Sequence, residues 1–215
     1  EFINKHINGI EIFMKILLLF PPDWLPSEPY LSLPALTSVL RPAGHEVIQK
    51  DINVEMYDIF FSRPFLEQVS GRIAGELGHL LEVESQRTLD EEESTLKEQL
   101  LQSTPDVLSR LASDAEEAKN ILRGESFYDI DQLEWATNTL HETMAHISLG
   151  YYPAQICFPP IETDLVYKPF MSSEILEALD DDQINVYRDV YRKLIAPVMT
   201  KEKPGMVGIS IVQQK

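Results

Sequence analysis

Short apolar runs alternate with longer amphipathic segments at the start of the chain. Residues 15–20 (KILLLF) are apolar without alternation, which is typical of a strand buried on both faces of a parallel sheet. A double proline ends this run, because proline cannot donate a hydrogen bond to a neighbouring strand. Apolar residues follow at helical spacing from a helix start near Ser32 to a stop at Gly44, and residues 45–53 form a second apolar run. This order predicts two parallel strands joined by a right-handed helical crossover.

The middle of the chain, residues 57–150, has helical apolar spacing and no strand pattern. Helix starts are predicted near Pro64, at Thr104, which precedes a proline, and at Asp131. Glu134 lies three residues after Asp131, which is the spacing of a capping box. We therefore interpret this region as a large helical insertion.

Apolar strand character returns only near the end of the sequence. Residues 151–170 contain four prolines and predict an extended connector. A short helix is predicted from Ser172 and a longer one over residues 184–198. Residues 206–212 (MVGISIV) then form a third apolar run, which predicts a buried strand.

Together these elements predict an α/β fold with a Rossmann-like parallel sheet, strand order 2-1-3, and a large helical insertion. The sheet reads as truncated, because no helix follows the third strand to cover it. The predicted organisation is a first β-α-β unit at 14–56, a helical insertion at 57–150, connector and helices at 151–200, and a cut-off third strand at 201–215. Residues 1–13 are interpreted as a tag or an upstream extension, because the first methionine directly precedes the first strand.

The charge balance excludes several classes of partner. The chain of 215 residues has 18 basic and 35 acidic residues, a formal net charge of -17. Nucleic acids and anionic membrane surfaces both require clustered lysine and arginine, so neither is an expected partner. No apolar run reaches the roughly 18 residues that a membrane span needs. The single cysteine, Cys157, excludes an intrachain disulfide and fits a cytoplasmic location.

Familiar catalytic motifs are not present. The histidines of HETMAH, His141 and His146, are five residues apart, whereas a zinc-protease helix needs a separation of four. The sequence has no phosphate-binding GxxxxGK[ST], no GxGxxG and no GxSxG. We therefore assign no catalytic residue and no metal ligand to this chain.

Two segments carry a resemblance to a known family. The first is ILLLFPPDW with PSEPYLSLPALTSVLRPAGHEVIQKDINVEMYDIFF, and the second is VGISI near the end. Together they resemble the N-terminal cobalamin-binding domain of B12-dependent radical S-adenosylmethionine (SAM) enzymes. The resemblance covers residues 14–61 and 201–212, whereas the helical middle is similar only in layout.

The resemblance implies that the corrin of cobalamin lies at the carboxyl ends of the parallel strands. The matching positions are Pro22, Asp23 and Trp24 after the first strand, and Ser210, Val212 and Gln213 at the end of the third. Trp24 would lie against the macrocycle, or else simply cover the sheet edge. Ser210 would donate to a side-chain amide of the corrin, or else serve close packing.

The same resemblance places the radical chemistry outside this sequence. The family's CxxxCxxC motif for a 4Fe-4S cluster is absent, as is the Asp-x-His-x-x-Gly motif of many cobalamin proteins. The chain is therefore expected to be a non-catalytic N-terminal portion of a radical SAM enzyme, a methyltransferase or a relative. Cluster and SAM would then be bound by a missing domain.

The alternative is a stand-alone degenerate α/β interaction module whose acidic helical region contacts a basic partner. A sheet that ends at its third strand also predicts self-association of the isolated chain through the uncovered surface.

Overall fold

The structure is a computed structural model that describes residues 13–22, 26, 30–156, 158 and 171–211. Its described residues form two compact units. The sheet unit comprises residues up to 22, 26–55 and 191 onward, and the helical unit comprises residues 56–190. The N-terminal residues 1–12, predicted to be a tag or an extension, lie outside the described part of the chain.

The sheet unit contains an open three-stranded parallel sheet in the order β2-β1-β3, which confirms the predicted fold class and strand order. The strands are β1 (Lys15–Phe20), β2 (Glu46–Asp51) and β3 (Met206–Ile209). In β1, the central strand, residues 16–20 are all buried on folding, as its unbroken apolar run requires. β3 pairs only with β1 among the described strands, and three of its four residues are exposed.

Helix α1 (Ser32–Leu40) covers one face of the sheet. The Gln49 amide of β2 donates to the Thr37 hydroxyl of α1 at 2.6 Å, and Thr37 donates to the Leu33 carbonyl at 2.7 Å. The helix starts at Ser32, as predicted, and Leu31 rather than Ser32 occupies the N-cap position. α1 ends at Leu40 with Arg41 as its C-cap, four residues before the predicted stop at Gly44. Gly44 has a φ of 91°, in the left-handed region that favours glycine, and it belongs to the turn that leads into β2.

The second strand is shorter than the apolar pattern predicted. It ends at Asp51, and helix α2 (Ile52–Phe60) begins at the next residue. The Asp51 carboxylate accepts the Val54 N–H at 3.1 Å, which satisfies one of the free donors of the first helical turn. The prediction that residues 52 and 53 belong to the strand was therefore wrong.

Between β2 and β3, the elements of the described residues are all helical. After α2, they are α3 (Arg63–Gln86), α4 (Glu91–Gln102), α5 (Pro105–Arg123), a short 3-10 helix (Glu125–Tyr128), α6 (Ile130–Gly150), α7 (Ser172–Asp180) and α8 (Tyr187–Glu202). The chain enters the helical unit within α2 and leaves it within α8. No helix among the described residues has the length and apolar character needed to cross a bilayer.

The core of the helical unit lies between α3, α5 and α6. Side chains at helical spacing on α5 and α6 are fully buried, among them Leu111, Ala115, Ala136, Met144 and Ile147. The small alanines allow the two helix backbones to approach closely, and the apolar spacing predicted for both helices is confirmed.

Candidate ligand edge of the sheet

The carboxyl ends of β1 and β3 lie side by side. Pro22 follows β1 and Ser210 follows β3, and both are half-buried. The Ser210 N–H donates to the Leu19 carbonyl of β1 at 2.9 Å, which extends the parallel pairing one residue past β3. Two of the predicted site positions are therefore brought to one edge of the sheet, as the strand order requires.

The other predicted positions are not described by the structure. Asp23 and Trp24 after β1, and Val212 and Gln213 after β3, lie outside the described residues. The assignment of these four residues to a cofactor site stays a prediction.

An aromatic pair that sequence reasoning did not single out lies at the same edge. The rings of Phe20 and Tyr30 stack with centroids 4.9 Å apart and an interplanar angle of 12°. Phe20 is the last residue of β1 and is buried, whereas Tyr30 lies two residues before α1 and is 37% exposed. The sequence signal for this pair is Tyr30, an aromatic residue at the end of a proline-rich loop, because an aromatic ring there can cover the end of a strand.

Apolar side chains continue from this edge along β3 into solvent. Ile209, the last residue of β3, is 59% exposed, and Ile211, two residues further on, is 76% exposed, whereas strands of parallel sheets are usually buried. This edge of the sheet therefore presents exposed apolar surface.

The described histidine of the sheet unit lies at the opposite end of the strands. His45 precedes β2, and its Nδ1 accepts the Met14 N–H at 3.4 Å. A parallel strand places its first and last residues at opposite edges of the sheet. His45 is therefore not positioned as a cobalt ligand at the candidate edge.

A cavity of about 270 Å³ in the sheet unit does not belong to this edge. The cavity is lined by Ile48 and by residues of α8, including Glu202. The Glu202 carboxylate forms an ion pair with the Lys15 ammonium at 3.0 Å. Because Lys15 is the first residue of β1, the cavity extends toward the amino ends of the strands.

The helical unit has a larger concavity, of about 660 Å³, beside Tyr152. The Tyr152 hydroxyl donates to the Glu92 carboxylate, and this hydrogen bond raises the pKa of Tyr152 to about 12. The other polar side chains that line it are Gln99, Ser148 and Gln155. The concavity is large enough for a small molecule, but it brings no nucleophile together with a base.

The two histidines of HETMAH have separate partners. His141 packs edge-on against Phe158, with ring centroids 4.8 Å apart. Nδ1 of His146 lies 2.8 Å from the Ser103 hydroxyl, and burial lowers the pKa of His146. The described residues contain no group of three or more histidine, cysteine or acidic side chains able to hold a metal ion.

Comparison with known proteins adds no relative. No protein-family model, no curated protein and no solved structure matches this chain. The class that the structure defines is an open parallel α/β sheet, Rossmann-like in strand order, with a helical unit inserted before its third strand.

Proposed function

We propose that this chain is the cobalamin-binding portion of a B12-dependent radical SAM enzyme, and that its sheet edge contributes part of the corrin site. The observation that carries the proposal is the pairing of the two strand ends. The Ser210–Leu19 hydrogen bond brings the loop after β3 beside the double proline after β1, at the edge where open parallel sheets bind ligands.

The described residues would hold the ring rather than act on it. Ile209 and Ile211 present apolar surface, and the Ser210 hydroxyl can donate to a corrin amide. A bound cobalamin supplies the organometallic chemistry itself. The iron–sulfur cluster and SAM would be bound by residues outside this sequence, whose single cysteine cannot provide three cluster ligands. That one-cysteine usage also supports a cytoplasmic location for the enzyme.

Titration with hydroxocobalamin tests the proposal directly. We expect the purified chain to shift the visible absorption spectrum and to retain the corrin in equilibrium dialysis, with a Kd of about 1 mM or tighter, equivalent to about -4 kcal/mol. Absence of any bound corrin at that concentration would overturn the assignment.

A matched pair of variants locates the binding. Ile209→Asp places a charge at the candidate edge, where the side chain is 59% exposed, and should weaken corrin binding about tenfold. Val39→Asp places the same charge on α1, at a side chain that is 63% exposed, and should leave binding unchanged. Equal loss in both variants would mean that the corrin binds elsewhere or nonspecifically.

A further inference from the structure

An exposed apolar surface lies at the tip of the α5–α6 hairpin. Its members are Phe127 and Tyr128 of the 3-10 helix and Ile130, the first residue of α6, and we refer to these three residues as the hairpin tip. They are 42%, 87% and 80% exposed, respectively. A cluster of large apolar side chains on a surface is a mark of an interaction site.

The backbone of the hairpin tip is held in place. The Asp129 carboxylate accepts the N–H groups of Asp131 and Gln132 at 3.1 and 3.2 Å, so it caps α6. The Asp129 N–H donates to the Ser126 carbonyl at 3.0 Å. The rings of Phe127 and Tyr128 also contact each other edge to face, 5.4 Å between centroids. A partner would therefore meet a preformed surface and lose little entropy in ordering it.

The rim of the hairpin tip is negatively charged. Glu125, Asp131 and Glu134 are exposed, and none of them pairs with a cation among the described residues. The nearest basic residue in the sequence, Arg123, is already bound to Asp58 at 2.6 Å. The rim therefore keeps its negative charge.

We propose that the hairpin tip is a docking surface for a basic, apolar-faced polypeptide segment of another protein. Leucine- or aromatic-sized side chains of the partner would cover Tyr128 and Ile130, and its lysines or arginines would face the free carboxylates. A symmetric contact between the hairpin tips of two copies of this chain is disfavoured, because it would bring like charges together. Anionic membranes and nucleic acids are excluded by the same charge.

A labelled helical peptide of leucine and lysine provides the probe, with fluorescence anisotropy as the readout. We expect the chain to bind it, and we expect Tyr128→Ser/Ile130→Ser to weaken binding about tenfold. Both side chains are at least 80% exposed, so the double variant should fold normally. Charge reversal by Glu125→Lys/Glu134→Lys should weaken binding to a similar extent.

The control uses a second exposed apolar site with acidic neighbours. Leu176 and Leu179 on α7 are 64% and 56% exposed, and Leu176→Ser/Leu179→Ser should change the affinity by less than about twofold. A peptide with serine in place of leucine should bind at least about tenfold more weakly. Unchanged binding by the Tyr128→Ser/Ile130→Ser variant would overturn the proposal, as would equal binding of the serine peptide.

Discussion

The hydroxyl of Tyr151 offers a direct test of the core of the helical unit. Its side chain is only 2% exposed, and its oxygen has no hydrogen-bond partner among the described residues. Arg72 lies over the ring, 4.1 Å from the centroid, and this contact does not involve the hydroxyl. Because the cost of removing this hydroxyl from water is not offset by a hydrogen bond, we expect Tyr151→Phe to raise the free energy of unfolding by about 1 kcal/mol near neutral pH.

Alkaline pH should enlarge this difference. Burial raises the pKa of Tyr151 to about 12. The positive charge of Arg72 opposes this increase, and the negative charge of Asp189 adds to it. The unfolded chain loses this proton near its ordinary pKa of about 10, whereas the folded chain retains it, so stability falls as pH rises from about 10 to 12. Between about pH 8 and pH 11 the loss is about 1.4 kcal/mol, and Tyr151→Phe removes it.

Urea denaturation followed by far-ultraviolet circular dichroism measures both effects. The control is Tyr128→Phe, in which the lost hydroxyl belongs to a side chain that is 87% exposed, and the expected change is within about 0.5 kcal/mol. If Tyr151→Phe destabilises the protein by about 1 kcal/mol instead, the hydroxyl has a partner and the reasoning fails. It also fails if the advantage of phenylalanine does not grow between the two pH values.

Two further predictions concern the same unit. The Arg72 guanidinium donates to the carbonyls of Gly150 at 2.7 Å and Asp182 at 2.9 Å. We therefore expect Arg72→Ala to lower the free energy of unfolding, measured in urea, by about 2–3 kcal/mol. A loss of less than about 0.5 kcal/mol would contradict this expectation. Burial lowers the pKa of His146, so protons bind the unfolded chain more readily and stability should fall as pH drops below about 6.5. His146→Gln should flatten that dependence in thermal unfolding at several pH values, and an unchanged slope would refute the argument.

The parallel sheet could be predicted because several short stretches of the sequence each indicate the same arrangement of strands and turns. A strand buried on both faces must be apolar at every position, and β1 meets that condition without exception. Proline stops β1 and Gly44 ends the segment after α1, so the boundaries of the first unit are marked by backbone chemistry. The order 2-1-3 is the one expected for the first three strands of a doubly wound sheet.

The start of α2 could not be predicted by the same reasoning. Ile52 continues the apolar run of β2, and a short apolar run does not distinguish a strand from a helix turn. What decides the boundary is the Asp51 carboxylate, which accepts the Val54 N–H. Aspartate is favoured at helix N-caps and depleted in strands, but the apolar residues on both sides of Asp51 continue the pattern of β2.

A similar ambiguity displaced the predicted start of α6. Asp131 and Glu134 have capping-box spacing, but the N-cap is Asp129, two residues earlier. Both aspartates are chemically suited to cap a helix. The 3-10 helix that ends at Tyr128 fixes where α6 can begin, and it is a tertiary feature with only a weak sequence signal.

Exposed apolar surfaces are harder to predict from the sequence than helices and strands. The reason is that the exposure of a side chain does not follow the periodicity of the element to which it belongs. Tyr128 and Ile130 are large apolar residues between two helices whose apolar residues form a core, so their types alone place them in that core. The same holds for Ile209 and Ile211, which continue the apolar pattern of a buried strand yet face solvent. In both places the residue types match the local pattern and only the burial departs from it. Exposed apolar residues at the end of an element are therefore recognised from their burial in the structure, whereas periodicity alone assigns them to the core.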